Sequence, residues 1–356
     1  MPAADYALVV GIDRYPALKS LSGAERDATA FYDWVTTDGG VASANARKIV
    51  SSGFPPAPGS PPSAAGPAQD AVNQFFFDVQ AASDTNDAAG DGPRVGKRLY
   101  MFFSGHGFAP AIDKSGVLMA NASRAAPVNV APTLWANRMY EGGWFDEVLL
   151  FQDACREPMR QADLSPPFLV PLGLPGIRDR RRFVALSAGN GLLSVEKAVD
   201  GGAVRGVFSA TLLAGLAGGA RDPQTGKITA NQLSAYLQLN MKKLLTAAEL
   251  ADDGIADAPD IRSDPFDIVD APPGWSVPAA EEFPVRIHLN GSRDARILGS
   301  DLKDFRVLDA APDPWEVTLP LGFYRVMAHP YGSDPFEVTG VLGLDGAKVV
   351  TDVTVK

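Results

Sequence analysis

Two short segments decide the fold, Phe103-Ser104-Gly105-His106-Gly107 and Phe151-Gln152-Asp153-Ala154-Cys155-Arg156. Each follows a near-continuous apolar run of the kind that buried parallel strands show. In an open α/β sheet, groups just beyond the carboxyl ends of neighbouring strands gather at one edge of the sheet. The two segments therefore predict that a histidine and the single cysteine of the chain lie close together.

Apolar runs alternate with helical patterns along the first 270 residues, which predicts an α/β fold with a mostly parallel sheet flanked by helices. Two of the helices begin with capping-box patterns, Ser22 to Glu25 and Thr229 to Gln232. The predicted strands are Tyr6–Ile12, Arg47–Val50, Arg98–Phe103, Glu147–Phe151, Arg182–Ser187 and Phe266–Val269, the last of which closes the sheet. The predicted helices are Ala24–Val35, Ala71–Ala82, Thr133–Glu141, Val207–Ala217 and 229–245.

From Asp270 to Glu281 the composition changes to Pro, Gly and Ala, and no helical period follows. Alternating segments separated by turns predict a small all-β, sandwich-like domain. These segments are Val285–Leu289, Trp315–Leu319, Tyr324–Ala328 and Val349–Val353. We therefore predict an α/β domain over 1–272, a linker over 273–282 and a β-rich accessory domain over 283–356, in accord with the two domains expected for 356 residues.

The order and spacing of these segments resemble the caspase-like clan of cysteine peptidases. His106 precedes Cys155 by 49 residues (155 − 106), and a histidine about 50 residues upstream of the cysteine is the caspase arrangement. The resemblance is closest to the metacaspase and bacterial caspase-like branch. It also includes the first strand and Gly206–Leu216, which matches the small-subunit helix, and it covers roughly residues 5 to 270.

The resemblance implies a cysteine endopeptidase with a Cys-His dyad. Cys155 would be the nucleophile and His106 the general acid and base, because a free thiol with a pKa of ~8.5 needs help to form the thiolate at neutral pH. The backbone amides of Gly107 and Cys155 are implied to form the oxyanion hole. Such chemistry needs no cofactor, and no Cys/His cluster has the spacing of a zinc site.

The predicted substrate preference follows from charge. Asp153 stands two residues before the cysteine, where caspases carry a glutamine that helps to hold a substrate aspartate. A carboxylate there repels acidic side chains and attracts Arg or Lys. Metacaspases share this acidic position and prefer basic residues, and their pocket also implies roles for Asp27, within Arg26-Asp27-Ala28, and for Ser104. We therefore predict cleavage of protein substrates after Arg or Lys.

Bulk properties limit the partners. The formal charge of −10 gives no electrostatic footprint for nucleic acid. No apolar run approaches the ~20 residues of a membrane span, and the N-terminus lacks the order of a signal peptide, so we expect a cytoplasmic protein. We expect the C-terminal β domain to recruit substrate or a regulator. Calcium dependence stays open, because Asp252 and Asp253 are acidic but no loop has EF-hand spacing.

Some positions depart from the family pattern. Glu157 replaces the glycine that follows the Q-A-C-R segment of caspases, and Ser187–Asn190 resembles the corresponding family loop loosely. The basic segment Arg178–Arg182 lies between the large-subunit-like and small-subunit-like parts, where family members are often cut during activation. Self-processing there is one hypothesis, and a solvated basic turn before a strand is the other.

Other functional classes fit the same residues. The main rival is a catalytically silent scaffold that keeps the caspase-like fold for binding, and a third reading is a ligase or an Asn-directed, legumain-like peptidase. Individually, Cys155 could be a small buried hydrophobe and Asp27 a solvated helix residue. His288 and His329 fall in the β domain, where we interpret them as structural or solvated.

Overall fold

The computed structural model describes residues 4–159, 162–170, 179–199, 202–273, 275, 282–292, 294–300, 302–308, 311–328, 331–339 and 350–356. The strands up to residue 269 are β1 (Tyr6–Gly11), β2 (Ala46–Val50), β3 (Gly96–Ser104), β4 (Gly107–Ala111), β5 (Lys114–Leu118), β6 (Asn129–Val130), β7 (Phe145–Asp153), β8 (Arg181–Leu186), β9 (Glu196–Val199), β10 (Ala203–Gly206), β11 (Ile228–Thr229), β12 (Asp260–Ser263) and β13 (Asp267–Val269). The helices are α1 (Ala24–Thr36), α2 (Gln69–Ala88), α3 (Pro132–Gly142), α4 (Val207–Ala214), α5 (Ala230–Asn240) and α6 (Ala247–Leu250).

A six-stranded sheet in the order β12-β8-β7-β3-β1-β2 carries the candidate site. All neighbouring strands in it are parallel except β12, which pairs antiparallel with β8. The central strands β3 and β7 are almost completely buried, which explains their near-continuous apolar sequence. The predicted mostly parallel sheet flanked by helices is confirmed.

Helices cover both faces of this sheet because side chains alternate along β3. Phe102 stacks on Phe31 of α1, with ring centroids 4.7 Å apart. Its neighbour Phe103 lies in the core that contains Phe76 of α2 and Trp135 of α3, and these two rings stack at 3.6 Å. Because apolar side chains and helices cover both faces of the sheet, polar side chains of the strands can reach a cavity at its carboxyl edge.

Two predictions about individual elements are wrong. Phe266–Val269 does not close the sheet: β13 pairs with the short strand β11, and β12 forms the edge instead. Ser22 does not cap α1, whose N-cap is Gly23; the amide and hydroxyl of Ser22 donate to Glu196, 2.9 and 3.1 Å away. A distant carboxylate therefore outcompetes the local cap. The second capping box is confirmed, since Thr229 and Gln232 bond each other reciprocally.

The C-terminal residues form β-sheets around one apolar core. The strands are β14 (Glu282–His288), β15 (Ala295–Leu298), β16 (Asp304–Leu308), β17 (Trp315–Pro320), β18 (Gly322–Ala328), β19 (Tyr331–Gly332), β20 (Phe336–Val338) and β21 (Thr351–Thr354). One sheet has the order β17-β14-β21 and the other β16-β15-β18-β19, with β20 beside β18. Ile287 from the first sheet and Val326 from the second share the core, so the predicted β-rich segment is confirmed.

Contacts divide the chain into two compact units, the first comprising residues 1–213 and 241–264 and the second 214–240 and 265–356. The predicted domain limits stay a prediction, and most of the predicted linker 273–282 lies outside the described residues, as does His329. Among the helices that the structure describes, none combines the length and apolarity that a bilayer crossing requires.

Candidate active site

Strand register brings the two deciding segments together. In the parallel pair β3 and β7, Ser104 is the direct partner of Asp153. His106 and Cys155 each stand two residues beyond that pair, so the chain leaves both strands at the same level and at the same edge. Both predicted dyad residues line one cavity of about 100 Å³. The cavity is lined by Leu21, Asp27, Ser104, Gly105, His106, Asp153, Ala154, Cys155, Ser194, Val195, Glu196 and Gly206.

The His106 imidazole is fixed by its surroundings. Its Nε2 lies 2.6 Å from the carbonyl oxygen of Lys19. A carbonyl oxygen can only accept, so Nε2 carries a proton, and Nδ1 of the neutral ring is the nitrogen available as a base. The buried ring of Tyr15 packs against the imidazole with centroids 4.7 Å apart, and its hydroxyl accepts from the His106 amide at 3.0 Å. The sequence analysis did not identify Tyr15.

The Cys155 thiol is half-buried at the cavity wall, with Sγ 3.7 Å from the carbonyl oxygen of Ser194. Burial raises the pKa of this thiol, and the nearby charges of Glu157 and Asp153 add to the effect. A thiol with a raised pKa is protonated at neutral pH, so nucleophilic attack requires a base that removes its proton. His106 is the imidazole that shares its cavity.

Gly107 begins β4, immediately after the histidine, and packs against the backbone of the cysteine segment. A Cβ atom on this glycine would lie 2.6 Å from the carbonyl oxygen of Cys155, a separation that real Cβ atoms do not show. Position 107 therefore requires glycine for close backbone approach. The predicted use of the Gly107 and Cys155 amides as an oxyanion hole stays a prediction.

The Asp153 carboxylate is buried at the end of β7. It accepts hydrogen bonds from the Ser194 hydroxyl at 2.6 Å, the Ser209 hydroxyl at 2.6 Å and the Ser209 amide at 3.0 Å. Burial raises the pKa of Asp153, and these hydrogen bonds oppose that rise. Among the ion pairs that the described residues form, none includes Asp153, so its charge is held by neutral donors.

The Asp27 carboxylate is fully buried, which excludes the reading of a solvated helix residue. It forms an ion pair with Arg205 of β10 and accepts the amide of Gly206 at 2.7 Å. The pKa of Asp27 is raised to about 7, because burial and the charge of Asp153 raise it more than Arg205 and the Gly206 amide lower it. Ser104, the remaining predicted pocket residue, is buried at the cavity wall.

The residues that sequence reasoning missed come mainly from 194–209. Ser194, Glu196 and Gly206 line the cavity, and Ser209 and Arg205 hold its two aspartates. Gly206 and Ser209 lie within the stretch that resembles the small-subunit helix, so a signal for them existed in the sequence. The cavity-lining residues at 194 and 196 have no comparable local signature.

The proposed self-processing segment Arg178–Arg182 is described in part. Arg178 lies outside the described residues. Arg180 is buried, and its guanidinium donates to the carbonyl oxygens of Tyr140 and Glu141 at 2.9 and 2.8 Å, while the next two arginines begin β8. Cleavage at these positions would require local opening of the strand. Self-processing stays a prediction.

Comparisons with known proteins give little beyond this geometry. No protein-family model and no curated protein matches the chain. Caspase-1 from Spodoptera frugiperda is 15% identical with a TM-score of 0.45, over 77% of this chain and 93% of that one. Its pro form is 14% identical with a TM-score of 0.40, over 73% and 91%. A protein from Geobacter sulfurreducens is 13% identical with a TM-score of 0.39, over 77% and 96%. At these values the likenesses say nothing about activity.

Proposed function

We propose that the protein is a cysteine endopeptidase that cleaves protein substrates after Arg or Lys through Cys155 and His106. The observation that carries the proposal is a cavity at the carboxyl edge of the sheet that brings all these side chains together. It joins a thiol, an oriented imidazole and two buried carboxylates, Asp27 and Asp153. Buried titratable groups with perturbed pKa values that converge on one cleft are typical of active sites.

The residues can carry out acyl transfer in two steps. His106 accepts the proton of the Cys155 thiol, and the thiolate attacks the scissile carbonyl carbon. The resulting oxyanion would be bound by the amides of Gly107 and Cys155. The protonated imidazole then gives its proton to the departing amine as the C–N bond breaks. Water, deprotonated by the same imidazole, hydrolyses the thioester and restores the thiol.

The buried acid beside the thiol supports the basic preference. Asp153 lines the cavity, and its hydrogen-bond partners there are serine hydroxyls. Among the described residues, no positively charged side chain therefore stands between Asp153 and a substrate side chain that enters the cavity. A guanidinium or ammonium group would supply the missing positive charge, whereas an aspartate would bring a second negative charge into a low-dielectric site.

The test is a panel of fluorogenic peptides that differ in the residue before the scissile bond, with Arg, Lys, Asp and Asn compared. We expect turnover of the Arg and Lys peptides, none with the Cys155→Ala protein, and labelling of Cys155 by an arginyl chloromethylketone. The panel is run with calcium and with a chelator, because calcium dependence is open. Preferential turnover of the Asp or Asn peptide contradicts the basic specificity. No turnover and no labelling under either condition favours the silent scaffold.

We also propose that the protein acts in the cytoplasm, without nucleic-acid or membrane partners, and that its C-terminal β unit binds substrate or a regulator. The formal charge of −10 supports the absence of nucleic-acid partners. A groove of about 730 Å³ in the β unit, whose described lining includes Val307, Trp315 and Val317, supports the binding role of that unit. Pull-down of a peptidase substrate by the full chain, lost when Val307 is changed to Asp, would test the role of the groove.

A further inference from the structure

The two aspartates of the cavity have different partners. Asp27 is bonded to the Arg205 guanidinium and to one amide. Asp153 is bonded to two hydroxyls and one amide. One carboxylate therefore already has a cation of the protein itself beside it, and the other has neutral dipoles.

The backbone of Gly206 lies between these two carboxylates, and the absence of a side chain there allows both to approach it. A Cβ atom at this position would collide with Oδ2 of Asp153 and would lie 3.2 Å from Oδ2 of Asp27. Two buried carboxylates on either side of one backbone atom repel each other, because a low-dielectric interior screens charge weakly. Arg205, the residue before this glycine, supplies the positive charge that reduces the repulsion.

The net charge around the cavity follows from these pairs. With both acids ionised, Asp27 and Arg205 sum to zero, and Asp153 contributes −1. Glu196 also lines the cavity, but its carboxylate is held by Ser22 and is common to every variant considered below. A substrate cation therefore meets two carboxylates that have no cationic partner among the described residues, the buried Asp153 and the half-buried Glu196, while Asp27 is already engaged.

We propose that Arg205 is a specificity-determining residue: it occupies Asp27 and leaves Asp153 as the carboxylate that receives the basic side chain of the substrate. This inference rests on the proposed function, since it names the recognition group of the same cavity. The family resemblance implies that both aspartates line the substrate pocket, whereas this inference assigns contact with the substrate cation to Asp153 alone. Asp27 becomes a positioning residue that anchors β10 beside the cleft through Arg205 and Gly206.

The test measures binding rather than turnover. Cys155→Ala protein is titrated calorimetrically with N-acetyl-arginine amide, and N-acetyl-citrulline amide serves as the neutral ligand of the same shape. The pH is held well above the pKa of about 7 of Asp27, so that this acid is ionised. We expect the arginine ligand to bind and the citrulline ligand to bind much more weakly.

Three variants of the Cys155→Ala protein distinguish the contributions of Asp153 and Asp27 to binding of the arginine ligand. Asp153→Asn should weaken binding of the arginine ligand by about 100-fold, since it removes the direct charge partner. The double change Asp27→Asn with Arg205→Gln removes a neutral pair and should leave affinity within ~3-fold. Arg205→Gln alone leaves Asp27 without its cation; at a pH where Asp27 stays ionised, it adds one net negative charge and should tighten binding by about tenfold.

Arg26→Gln is the matched control, because Arg26 donates to the carbonyl oxygen of Val204 in the same strand but is not the ion-pair partner of Asp27. Its affinity should equal that of the parent. If Arg205→Gln does not fold by circular dichroism, the other two variants still decide. The double variant leaves no Asp27 carboxylate without its cation, and Asp153→Asn replaces a carboxylate by an amide of similar shape.

The inference is overturned if the double variant loses as much affinity as Asp153→Asn, which would make Asp27 a direct ligand. It is also overturned if Arg205→Gln weakens binding, or if the arginine ligand does not bind the Cys155→Ala protein. Failure of the proposed function looks different: the binding pattern holds while the protein with Cys155 intact cleaves no peptide.

Discussion

The candidate cleft and the C-terminal β unit handle charge in opposite ways. In the cleft, Asp27 and Asp153 are buried, and the pKa of each is raised by that burial. In the β unit, Arg286 pairs with Glu316 at 3.2 Å while 40% and 70% of these side chains stay exposed. Among the described residues from 282 onward, Ser333 is the one polar side chain buried in the fold.

This difference indicates that the cleft is less favourable for stability than the β unit. Burying a carboxylate without a cation is unfavourable, and neutral hydrogen bonds only partly offset the loss of solvation. Exposed ion pairs contribute little in either direction. The β unit can therefore be understood as an apolar core with a solvated surface. The cleft requires a functional explanation, because a fold selected for stability alone would avoid its acids.

The largest expected effect compares two histidines. His106→Ala should lower kcat/KM for the arginyl peptide by about 10³ to 10⁴, because the thiol loses its proton acceptor and the leaving amine its proton donor. His288→Ala removes an exposed histidine of the β unit and should leave kcat/KM within about twofold. Equal losses in steady-state assays would show that the two regions do not differ as the charge pattern indicates.

A smaller effect compares two arginines. Arg156 is fully buried beside the cysteine and donates to Asp260 at 2.8 Å and to the carbonyl oxygens of Ala188 and Ile112. Arg156→Met should lower the free energy of unfolding by about 3–5 kcal/mol, because buried acceptors lose their partner. Arg286→Met in the β unit should change it by no more than about 1 kcal/mol. Urea unfolding of both variants measures the difference. Similar unfolding midpoints for the two variants would contradict the larger stabilising role of Arg156.

The smallest effect compares the pH dependence of two aspartates. The pKa of Asp27 rises from 3.8 to about 7 on folding, so the folded state holds its proton more tightly, and stability falls as the pH rises through this window. Relative to the Asp27→Asn, Arg205→Gln variant, the wild type should lose at least about 1 kcal/mol between pH ~4 and ~7.

Asp313 should give the opposite dependence of stability on pH. The amides of Leu289 and Gly291 donate to it at 2.9 and 3.1 Å and lower its pKa. Its contribution is therefore present above the unfolded pKa and is lost as the pH falls. Relative to Asp313→Asn, the wild type should gain stability with rising pH. Denaturant titrations at several pH values test both slopes, and slopes of the same sign would contradict the assigned causes.

The sequence predicted the parts of the site that follow from strands. Two apolar runs ending in S-G-H-G and D-A-C are strong local signals, and parallel pairing places Ser104 opposite Asp153 without further information. The edge of the sheet was predicted less well. Phe266–Val269 has the composition of a strand, but composition does not specify which partner a short edge strand takes.

The amino-acid sequence by itself determined the α/β class, the β-rich C-terminal segment and the placing of His106 and Cys155 at strand ends, because hydrophobic period and turn residues act over short distances. Tertiary structure decided that Ser22 bonds Glu196, that Tyr15 supports the imidazole and that Arg205 engages Asp27. The last of these pairs joins residues 178 positions apart. Such contacts depend on how distant elements pack, and burial then sets the pKa of each group, so no local pattern in the chain encodes them.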